Sequence, residues 1–107
     1  MEYFIDHNAL PKRELFPGIS ATIVHSEKIT ASRVSLAEGA ILPEHSHPNE
    51  QWTHIISGEL ELTVGGETRA LKPGMTAFIP SNVPHSGKTL RACEVIDIFN
   101  PSRTDLK

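Results

Sequence analysis

The sequence predicts an all-β domain, a small antiparallel barrel or sandwich, and three observations support this fold class. Val, Ile and Thr supply 23 of the 107 residues, and β-branched side chains fit the pleated, half-buried surface of a sheet. Seven Gly and eight Pro residues separate short apolar segments as turn signals. Beyond about residue 20, no segment keeps the 3.6-residue apolar period of an amphipathic helix.

The strand signals follow one another at close spacing along the chain. We predict strands over 20–25, 29–37, 51–57, 60–64, 67–71, 75–79 and 91–99. Gly65-Gly66 is a two-residue hairpin signal between two of them. Residues 80–84 contain two prolines and predict a loop, and we expect one short helix around 12–16.

The length fits one domain over residues 1–107. We expect an irregular N-terminal segment over 1–19, a barrel over about 20–100 and a C-terminal tail over 101–107. A domain of this size buries only about two-thirds of its unfolded surface. We therefore expect a partner subunit, a metal ion or both to add to its stability.

Composition argues against several classes of function. Ten basic and thirteen acidic residues give a net charge of −3, and no basic stripe indicates binding to nucleic acid. No apolar run approaches the roughly 20 residues that a membrane helix needs. Residues 1–7 lack the pattern of a secretory signal, and the single cysteine, Cys93, cannot form an internal disulfide. We therefore expect a cytoplasmic protein, with Cys93 as a core residue.

Three of the six histidines lie where they can bind a metal ion. His45 and His47 are separated by one residue, and side chains two apart on extended backbone point to the same face. Both imidazoles can therefore reach one ion, although such a pair also arises by chance. His85 follows the loop over 80–84.

The other three histidines lack such an arrangement. We expect His7 and His25 at the surface. His54 lies in the strand that begins with Gln51, on the opposite face from it and beside Trp52. We expect His54 at the surface or in an interface.

The last predicted strand carries an acidic residue among apolar ones. Alternation over 93–99 places one set of side chains on the inner face: Cys93, Val95, Asp97 and Phe99. Ile96 and Ile98 lie on the other face, so we expect the strand to be covered on both sides. An unpaired buried charge is costly. Asp97 therefore caps a turn, pairs with an arginine, or faces the metal inside the barrel as a general acid and base.

Two blocks around the histidines resemble the two signature motifs of the cupin superfamily. The first block is formed by Gly39, His45, His47, Gln51 and Gly58, and the second by Gly74, Pro80, Asn82 and His85. The superfamily usually has Glu at the position of Gln51 and Gly at that of Asn82. The resemblance implies a double-stranded β-helix barrel of the jelly-roll type.

The resemblance also implies a ligand set for one divalent transition metal: His45, His47, Gln51 and His85. Imidazole and oxygen ligands suit Zn, Fe, Ni, Co or Mn. A neutral amide leaves the ion its full positive charge, which strengthens its action on anionic or carbonyl oxygens. Gln51 cannot accept a proton, as the Glu of quercetinase-type dioxygenases is thought to do. Glu50 is the alternative ligand if the register differs, but the spacing to Gly58 favours Gln51.

Within the superfamily, the segments 45–51 and 96–105 resemble the KdgF family of pectin-degradation proteins. That family converts 4,5-unsaturated monouronates, released from pectin or alginate by lyases, into linear 4-deoxy-5-keto uronates. The resemblance implies that Asp97, Phe99 and Arg103 matter for activity.

Each of these side chains suits a part of that reaction. Asp97 would move protons during hydration or ring opening. Arg103 would bind the substrate carboxylate through its planar fork, and Phe99 would pack on the sugar ring. Arg33, in the middle of a predicted strand, is either a second carboxylate anchor or part of a surface salt bridge.

Two other functions stay open at this point. One is a metal-dependent dioxygenase of the quercetinase or diketone type, and the other is a non-catalytic cupin that binds a small ligand. The partner is a small molecule in each case, and an anionic sugar acid in the first hypothesis. We also expect a homodimer, because the outward faces of Trp52 and His54 and of Ile96 and Ile98 need cover.

Overall fold

The computed structural model describes residues 3–106, which form eight β-strands and two 3-10 helices. The strands are β1 (Arg13–Phe16), β2 (Ile19–His25), β3 (Thr30–Leu36), β4 (Ile41–His45), β5 (Glu50–Val64), β6 (Glu67–Leu71), β7 (Thr76–Ile79) and β8 (His85–Asn100). The 3-10 helices are His7–Ala9 and Thr104–Leu106. Met1, Glu2 and Lys107 belong to the expected terminal segments 1–19 and 101–107 and lie outside the described residues.

Two long strands organise the sheet. The antiparallel strands β5 and β8 pair along most of their length, from the Glu50–Asn100 pair to the Val64–His85 pair. The first half of β5 also pairs with β7 and its second half with β6. The second half of β8 pairs with β3 and its first half with β4. Because both long strands change neighbours at their middle, the sheet folds over into two layers, and β2 and β1 extend the layer that contains β3.

The space between the layers divides into an apolar region and a polar one. The apolar core takes its buried side chains from both layers: Ile19, Ala21, Val34, Leu36, Ile55, Leu60, Leu62, Leu71, Ile79, Cys93 and Val95. Buried polar side chains include Thr30, Ser32, Asn49, Gln51, Thr53 and His85. A buried polar side chain is stable only with partners. The region of the barrel that holds these side chains is therefore a candidate binding site.

The all-β prediction is confirmed, and the strand signals identified most of the elements. The segments predicted over 51–57 and 60–64 form one continuous strand, β5, and the strand predicted over 91–99 begins earlier, at His85. β4 was not predicted, because Pro43 and the charged and histidine residues around it hide its alternation. Among residues 3–106, no helix has the length and apolar composition that crossing a bilayer requires.

The prediction of a short helix around 12–16 is wrong, because this segment forms strand β1. Pro11 and Pro17 flank it and leave too few residues for a stable helical turn with its own hydrogen bonds. The backbone of β1 pairs instead with β2, and Leu15 and Phe16 pack against the core. Tertiary pairing thus decides the structure of this segment.

The outer face of β5, β7 and β8 keeps apolar side chains in contact with solvent. Trp52 is 50% exposed and Phe78 is 40% exposed, with their ring centroids 4.6 Å apart. Ile56 and Ile96 are exposed beside them. We expected the last strand to be covered on both faces. Within one subunit only its inner face is covered, where Cys93 and Val95 are buried.

Gly58 permits the bend in the middle of β5. The pairing of β5 with β8 shifts register on both sides of this residue, between Ile55 and Glu59. Gly58 has a φ of +80°, which a residue with a Cβ atom adopts only at a cost. A Cβ atom there would also overlap the Ala92 carbonyl oxygen and lie 2.6 Å from the Cα atom of Cys93.

We predict that Gly58→Ala lowers the free energy of unfolding more than Gly39→Ala does. Gly39 has nearly the same φ, +81°, but an added Cβ atom would meet nothing within 4 Å. The difference between the two variants therefore isolates the overlap with β8 and should be about 1–3 kcal/mol. Chemical denaturation followed by far-ultraviolet circular dichroism measures it. Equal losses in the two variants would contradict this account of the bend.

Candidate metal centre

Three histidines from two distant parts of the chain meet between the layers. His45 ends β4 and His85 begins β8, and the two are directly paired in the sheet. His47 lies two residues after His45, in the connection to β5. Each imidazole offers one nitrogen atom, and these three atoms lie within 4.8 Å of one another. The three rings can therefore bind one ion together.

A backbone carbonyl group two residues away orients each imidazole ring. The Nδ1 atoms of His45, His47 and His85 lie 2.8, 3.0 and 2.9 Å from the carbonyl oxygens of Pro43, Asn49 and Val83, respectively. Because a carbonyl oxygen only accepts, Nδ1 carries the hydrogen atom in each ring. In the neutral ring Nε2 then keeps its lone pair, and it is this atom that can bind a metal.

Burial favours the neutral form of two of these rings. It lowers the pKa of His85 to about 4, and neighbouring positive charges act in the same direction. Burial also lowers the pKa of His47, with a further contribution from the Arg103 guanidinium. Both rings are therefore neutral near pH 7, which is the form that binds a cation.

Two features show that these residues fit a divalent metal ion. The buried Nε2 atom of His85 has no hydrogen-bond partner among residues 3–106. A buried polar atom without a partner costs about 1–3 kcal/mol, and a bound cation would remove that cost. The Nε2 atom of His47 lies 3.1 Å from Oε1 of Gln51. With Nδ1 of His47 protonated, both atoms are acceptors, as expected of two ligands that face one cation.

The structure brings Gln51, and not Glu50, to the three histidines. Gln51 is the second residue of β5 and is buried, while the preceding residue, Glu50, is exposed. Successive side chains of a strand point to opposite faces, so only one of the two can face the cluster. The donor set of three imidazoles and one amide oxygen is neutral, and it suits Zn, Fe, Ni, Co or Mn.

Asp97 lies beside this cluster on the inner face of β8. It is paired with Thr53 of β5 in the sheet, and the Thr53 hydroxyl donates a hydrogen bond of 2.6 Å to its carboxylate. Burial raises the pKa of Asp97 to about 6, against the opposing effect of that hydrogen bond. Asp97 lies inside β8 and so caps no turn, and among residues 3–106 no arginine lies within 4.0 Å of its carboxylate. Its pKa lies where it can both give and take a proton near neutral pH.

The histidine cluster and the Asp97 carboxyl group meet at one cavity of about 310 Å³. Its lining includes His45, Gln51, His85, Asp97, Phe99 and Arg103. The ring of Phe99 meets His47 edge-on at 5.7 Å between centroids, and the Arg103 guanidinium lies 4.9 Å from the centre of the same phenyl ring. The cavity thus combines a cluster of metal-binding atoms, a carboxyl group, an aromatic face and a cation.

The C-terminal tail brings Arg103 to the cavity. Side-chain amide and hydroxyl groups hold the tail: Asn49 donates to the Pro101 and Ser102 carbonyl groups, and Ser102 donates to the Ser26 carbonyl group. The carboxylate of Asp105 accepts hydrogen bonds from Nε and Nη2 of Arg103 at 2.9 and 2.7 Å. The guanidinium is therefore held in a defined orientation although it belongs to a terminal segment.

Sequence reasoning missed Asn49 and Thr53. Thr53 is two residues after Gln51, so it shares its face, but its proximity to Asp97 follows only from the pairing of β5 with β8. Asn49 lies between two motif positions and acts on a segment more than fifty residues away. The one feature of the local sequence that could have indicated a role for Thr53 is its two-residue spacing from Gln51.

The structure does not bring Arg33 to the cavity. Its neighbours Ser32 and Val34 are buried between the layers, so alternation along β3 points Arg33 to the outer face. There its Nε atom lies 4.0 Å from the Glu94 carboxylate. Of the two interpretations of Arg33 from the sequence, the surface salt bridge agrees with this position. His54 also points outward, with its Nδ1 atom 2.8 Å from the Thr76 hydroxyl oxygen.

The two-layered barrel with histidines between its layers defines a class of protein. Residues 32–99 match the family described as Cupin domain, and the chain belongs to the cupin family. A solved structure with a TM-score of 0.94 is an RmlC-like cupin from Shewanella frigidimarina. It is 23% identical in sequence, and the superposition covers 100% of this chain and 97% of that one, so it supports the fold alone.

Within the cupin family, the chain is similar to the KdgF proteins. It is 35% identical to the pectin degradation protein KdgF of Dickeya dadantii over 106 residues, which cover 96% of each chain. The structure of KdgF from Halomonas sp. superposes with a TM-score of 0.90 at 30% sequence identity. That superposition covers 100% of this chain and 99% of the Halomonas protein. The resemblance to the KdgF family in the sequence is thereby confirmed.

We predict that His45→Ala and His85→Ala each weaken binding of a divalent metal at least about 100-fold, because each removes one imidazole from the shared site. Metal content after reconstitution and desalting, measured by inductively coupled plasma mass spectrometry, should fall from about one ion per chain towards zero. His54→Ala is the matched control, because it removes an imidazole that points away from the cluster. Unchanged metal content in both cluster variants would contradict the assignment.

Proposed function

We propose that this protein is a cytoplasmic, metal-dependent enzyme that converts 4,5-unsaturated monouronates into linear 4-deoxy-5-keto uronates. The observation that carries the proposal is one cavity in which two members of the three-histidine cluster, His45 and His85, meet the Asp97 carboxyl group and the pair of Phe99 and Arg103. Similarity to pectin degradation proteins over almost the whole chain supports the substrate class. The Arg103 guanidinium and the metal-binding groups of this cavity, which Glu14 and Asp105 also line, are the partners that an anionic sugar acid would use.

The proposed reaction rearranges bonds without net oxidation. The bond between C1 and the ring oxygen breaks, the C1 hydroxyl group loses its proton and becomes an aldehyde, and the ring oxygen becomes an enolate oxygen on C5. The enolate then becomes a ketone when C4 gains a proton. One proton thus leaves an oxygen atom and one reaches a carbon atom, so a single group that exchanges protons can serve both ends of the reaction.

In this proposal His45, His47, His85 and Gln51 hold the metal ion. When bound, a divalent cation supplies Lewis-acid chemistry towards carboxylate, hydroxyl or carbonyl oxygens of the substrate. Each imidazole carries hydrogen on Nδ1 and would use Nε2 for the metal, and an amide is not basic, so none of the four ligands can accept a proton in the reaction. Proton transfer is therefore assigned to a different residue.

Asp97 is the proposed general acid and base. Burial holds the pKa of its carboxyl group near 6, so both protonation states are populated close to neutral pH. The Thr53 hydroxyl donates to one carboxylate oxygen, Oδ1. The other oxygen, Oδ2, is then the atom that exchanges a proton with the substrate.

Arg103 and Phe99 are proposed to bind the substrate. A guanidinium group binds the two oxygens of a carboxylate with parallel hydrogen bonds. Because Asp105 accepts from Nε and from one hydrogen of Nη2, the substrate carboxylate would accept from Nη1 and from the second hydrogen of Nη2. Phe99 offers an apolar face for a sugar ring and also contacts the guanidinium, so the two side chains orient the substrate together. Fixing the substrate in this way lowers the entropic cost of reaching the reactive geometry.

Incubation of the metal-loaded protein with an unsaturated monouronate tests the proposal. The C4=C5 bond absorbs ultraviolet light and the linear keto product does not, so absorbance should fall with time and stop falling when the metal is removed. Oxygen uptake, followed in parallel, should be zero. Oxygen consumption would favour a dioxygenase, and binding of the uronate without any change in absorbance would favour a non-catalytic cupin; either result would overturn the proposal.

We predict that Asp97→Asn lowers turnover about 100-fold or more while metal content stays unchanged. The amide keeps the shape of the side chain and accepts the hydrogen bond from Thr53, but it cannot exchange a proton at neutral pH. Glu94→Gln is the matched control on the same strand, because Glu94 points to the outer face, where it accepts a hydrogen bond from Ser35. Turnover in Asp97→Asn within a factor of three of the native protein would contradict the acid and base role.

We also propose that two copies of the chain associate through the exposed apolar face of β5, β7 and β8. Trp52 and Phe78 stack there in contact with solvent, and contiguous apolar patches of this kind mark interaction sites. Light scattering coupled to size exclusion at micromolar concentration should give twice the chain mass of 11.8 kDa.

We predict that Trp52→Lys converts this dimer to a monomer, because it places a charge in the centre of the contact. Ile41→Lys is the control, since Ile41 is equally exposed on β4, in the other layer. A monomeric native protein, or a dimer that survives Trp52→Lys, would contradict this interface.

A further inference from the structure

We infer that Thr53 is a positioning residue that turns the Gln51 amide so that its oxygen atom faces the histidine cluster. The inference rests on the proposed function in one respect, namely that Gln51 is a metal ligand. Three side chains carry it, and they form one chain of hydrogen bonds across the β5–β8 pair. Gln51 Nε2 lies 2.9 Å from Thr53 Oγ1, which lies 2.6 Å from Asp97 Oδ1.

The direction of these hydrogen bonds follows from what each group can do. A hydroxyl group has one hydrogen atom to donate, and a carboxylate can only accept. With Asp97 as a carboxylate, the Thr53 hydroxyl donates to it and has only its lone pairs left for Gln51. The Gln51 atom next to Thr53 is therefore the nitrogen, which donates, and Oε1 is left on the side of His47.

When the histidines bind a cation, the opposite orientation of the amide is disfavoured at both ends. Rotation about the last side-chain bond of Gln exchanges oxygen and nitrogen at almost no intrinsic cost. After such a rotation, Oε1 of Gln51 would face the Thr53 oxygen, acceptor against acceptor. The N–H groups would point at a cation bound by the histidines, where they cannot act as ligands.

Among the residues that the structure describes, the one other group that favours this orientation is the Asp97 carboxylate, because a hydrogen bond from the Gln51 amide also lowers the pKa of Asp97. Nδ1 of His47 donates to the Asn49 carbonyl oxygen, so the neutral ring has no hydrogen atom left to orient the Gln51 amide. Gln51 is 7% exposed and Thr53 is 3% exposed, so solvent cannot replace the hydroxyl group. The orientation of the ligand oxygen thus depends on the Thr53 hydroxyl group, which contacts the Gln51 amide directly and also holds the Asp97 carboxylate beside it.

A double-mutant cycle on the full-length, metal-reconstituted protein tests this inference. Thr53→Val keeps the shape of the side chain and removes the hydroxyl group, whereas Thr53→Ser keeps the hydroxyl group. The second change is Gln51→Glu, which makes both terminal atoms oxygen, so the orientation no longer selects the ligand atom. The readouts are the Co²⁺ affinity from competition with a chelator and the Co²⁺ absorption spectrum, both at pH 8.

Thr53→Val should weaken Co²⁺ binding about 10–100-fold when residue 51 is Gln and alter the Co²⁺ spectrum. The same change should cost less than about threefold in the Gln51→Glu variant, and Thr53→Ser should restore nearly native affinity. Thr63→Val, which removes a hydroxyl group from the exposed end of the same strand, is the matched control. Circular dichroism of the metal-free variants separates lost folding from lost binding, and if Thr53→Val does not fold, Thr53→Ala replaces it in the cycle.

Two results would overturn the inference. The first is native Co²⁺ affinity and an unchanged spectrum in Thr53→Val, while the native protein binds metal and consumes the unsaturated uronate. The second is an equal loss of affinity with Gln and with Glu at residue 51, which would make Thr53 a structural residue only. In both cases the proposed function stands. Failure of the proposed function is recognised separately, because it shows in the native protein as absence of metal-dependent turnover.

Discussion

Three hydrogen bonds from imidazole Nδ1 atoms to nearby backbone carbonyl groups underlie the chemistry of this barrel. Each bond fixes which nitrogen atom carries the hydrogen and turns the Nε2 lone pair of its ring towards the two others. Because all three acceptors belong to the backbone, the orientation depends on the path of the chain and tolerates changes in neighbouring side chains. The convergence of three lone pairs, which repel one another without a cation, indicates a binding site more strongly than the presence of histidines does.

The polar region between the layers lowers the stability of this small domain. His85 has a buried nitrogen atom without a partner, and Asp97 has a carboxyl group whose pKa burial has raised. A barrel optimised for stability alone would replace both with apolar side chains of similar volume. Their cost is offset by an apolar core between the same two layers, and in our account also by a bound ion. The neutral donor set then explains the division of labour, in which the ligands hold the metal and Asp97 moves protons.

How much the sequence predicts depends on the range of the interaction. The His45–His47 pair is two residues apart on extended backbone, so its shared face follows from local geometry. The inner position of Asp97 follows in the same way from alternation along β8. Thr53 meets Asp97 across 44 residues of chain, and Asn49 holds a tail 52 residues away; these contacts depend on strand pairing, which a single sequence does not specify. The position of Arg33 was also not predicted, because a single sequence does not show which face of its strand points to the inside of the barrel.

The central claim is that three imidazoles and the Gln51 oxygen bind one metal ion inside the barrel. X-ray absorption spectroscopy of the Co²⁺-loaded or Zn²⁺-loaded protein tests it most directly, because multiple scattering from imidazole rings allows them to be counted. The account predicts three imidazole nitrogens and at least one oxygen at about 2.0–2.2 Å, with no sulfur. A first shell with fewer than three imidazoles, or with a sulfur ligand, would contradict it.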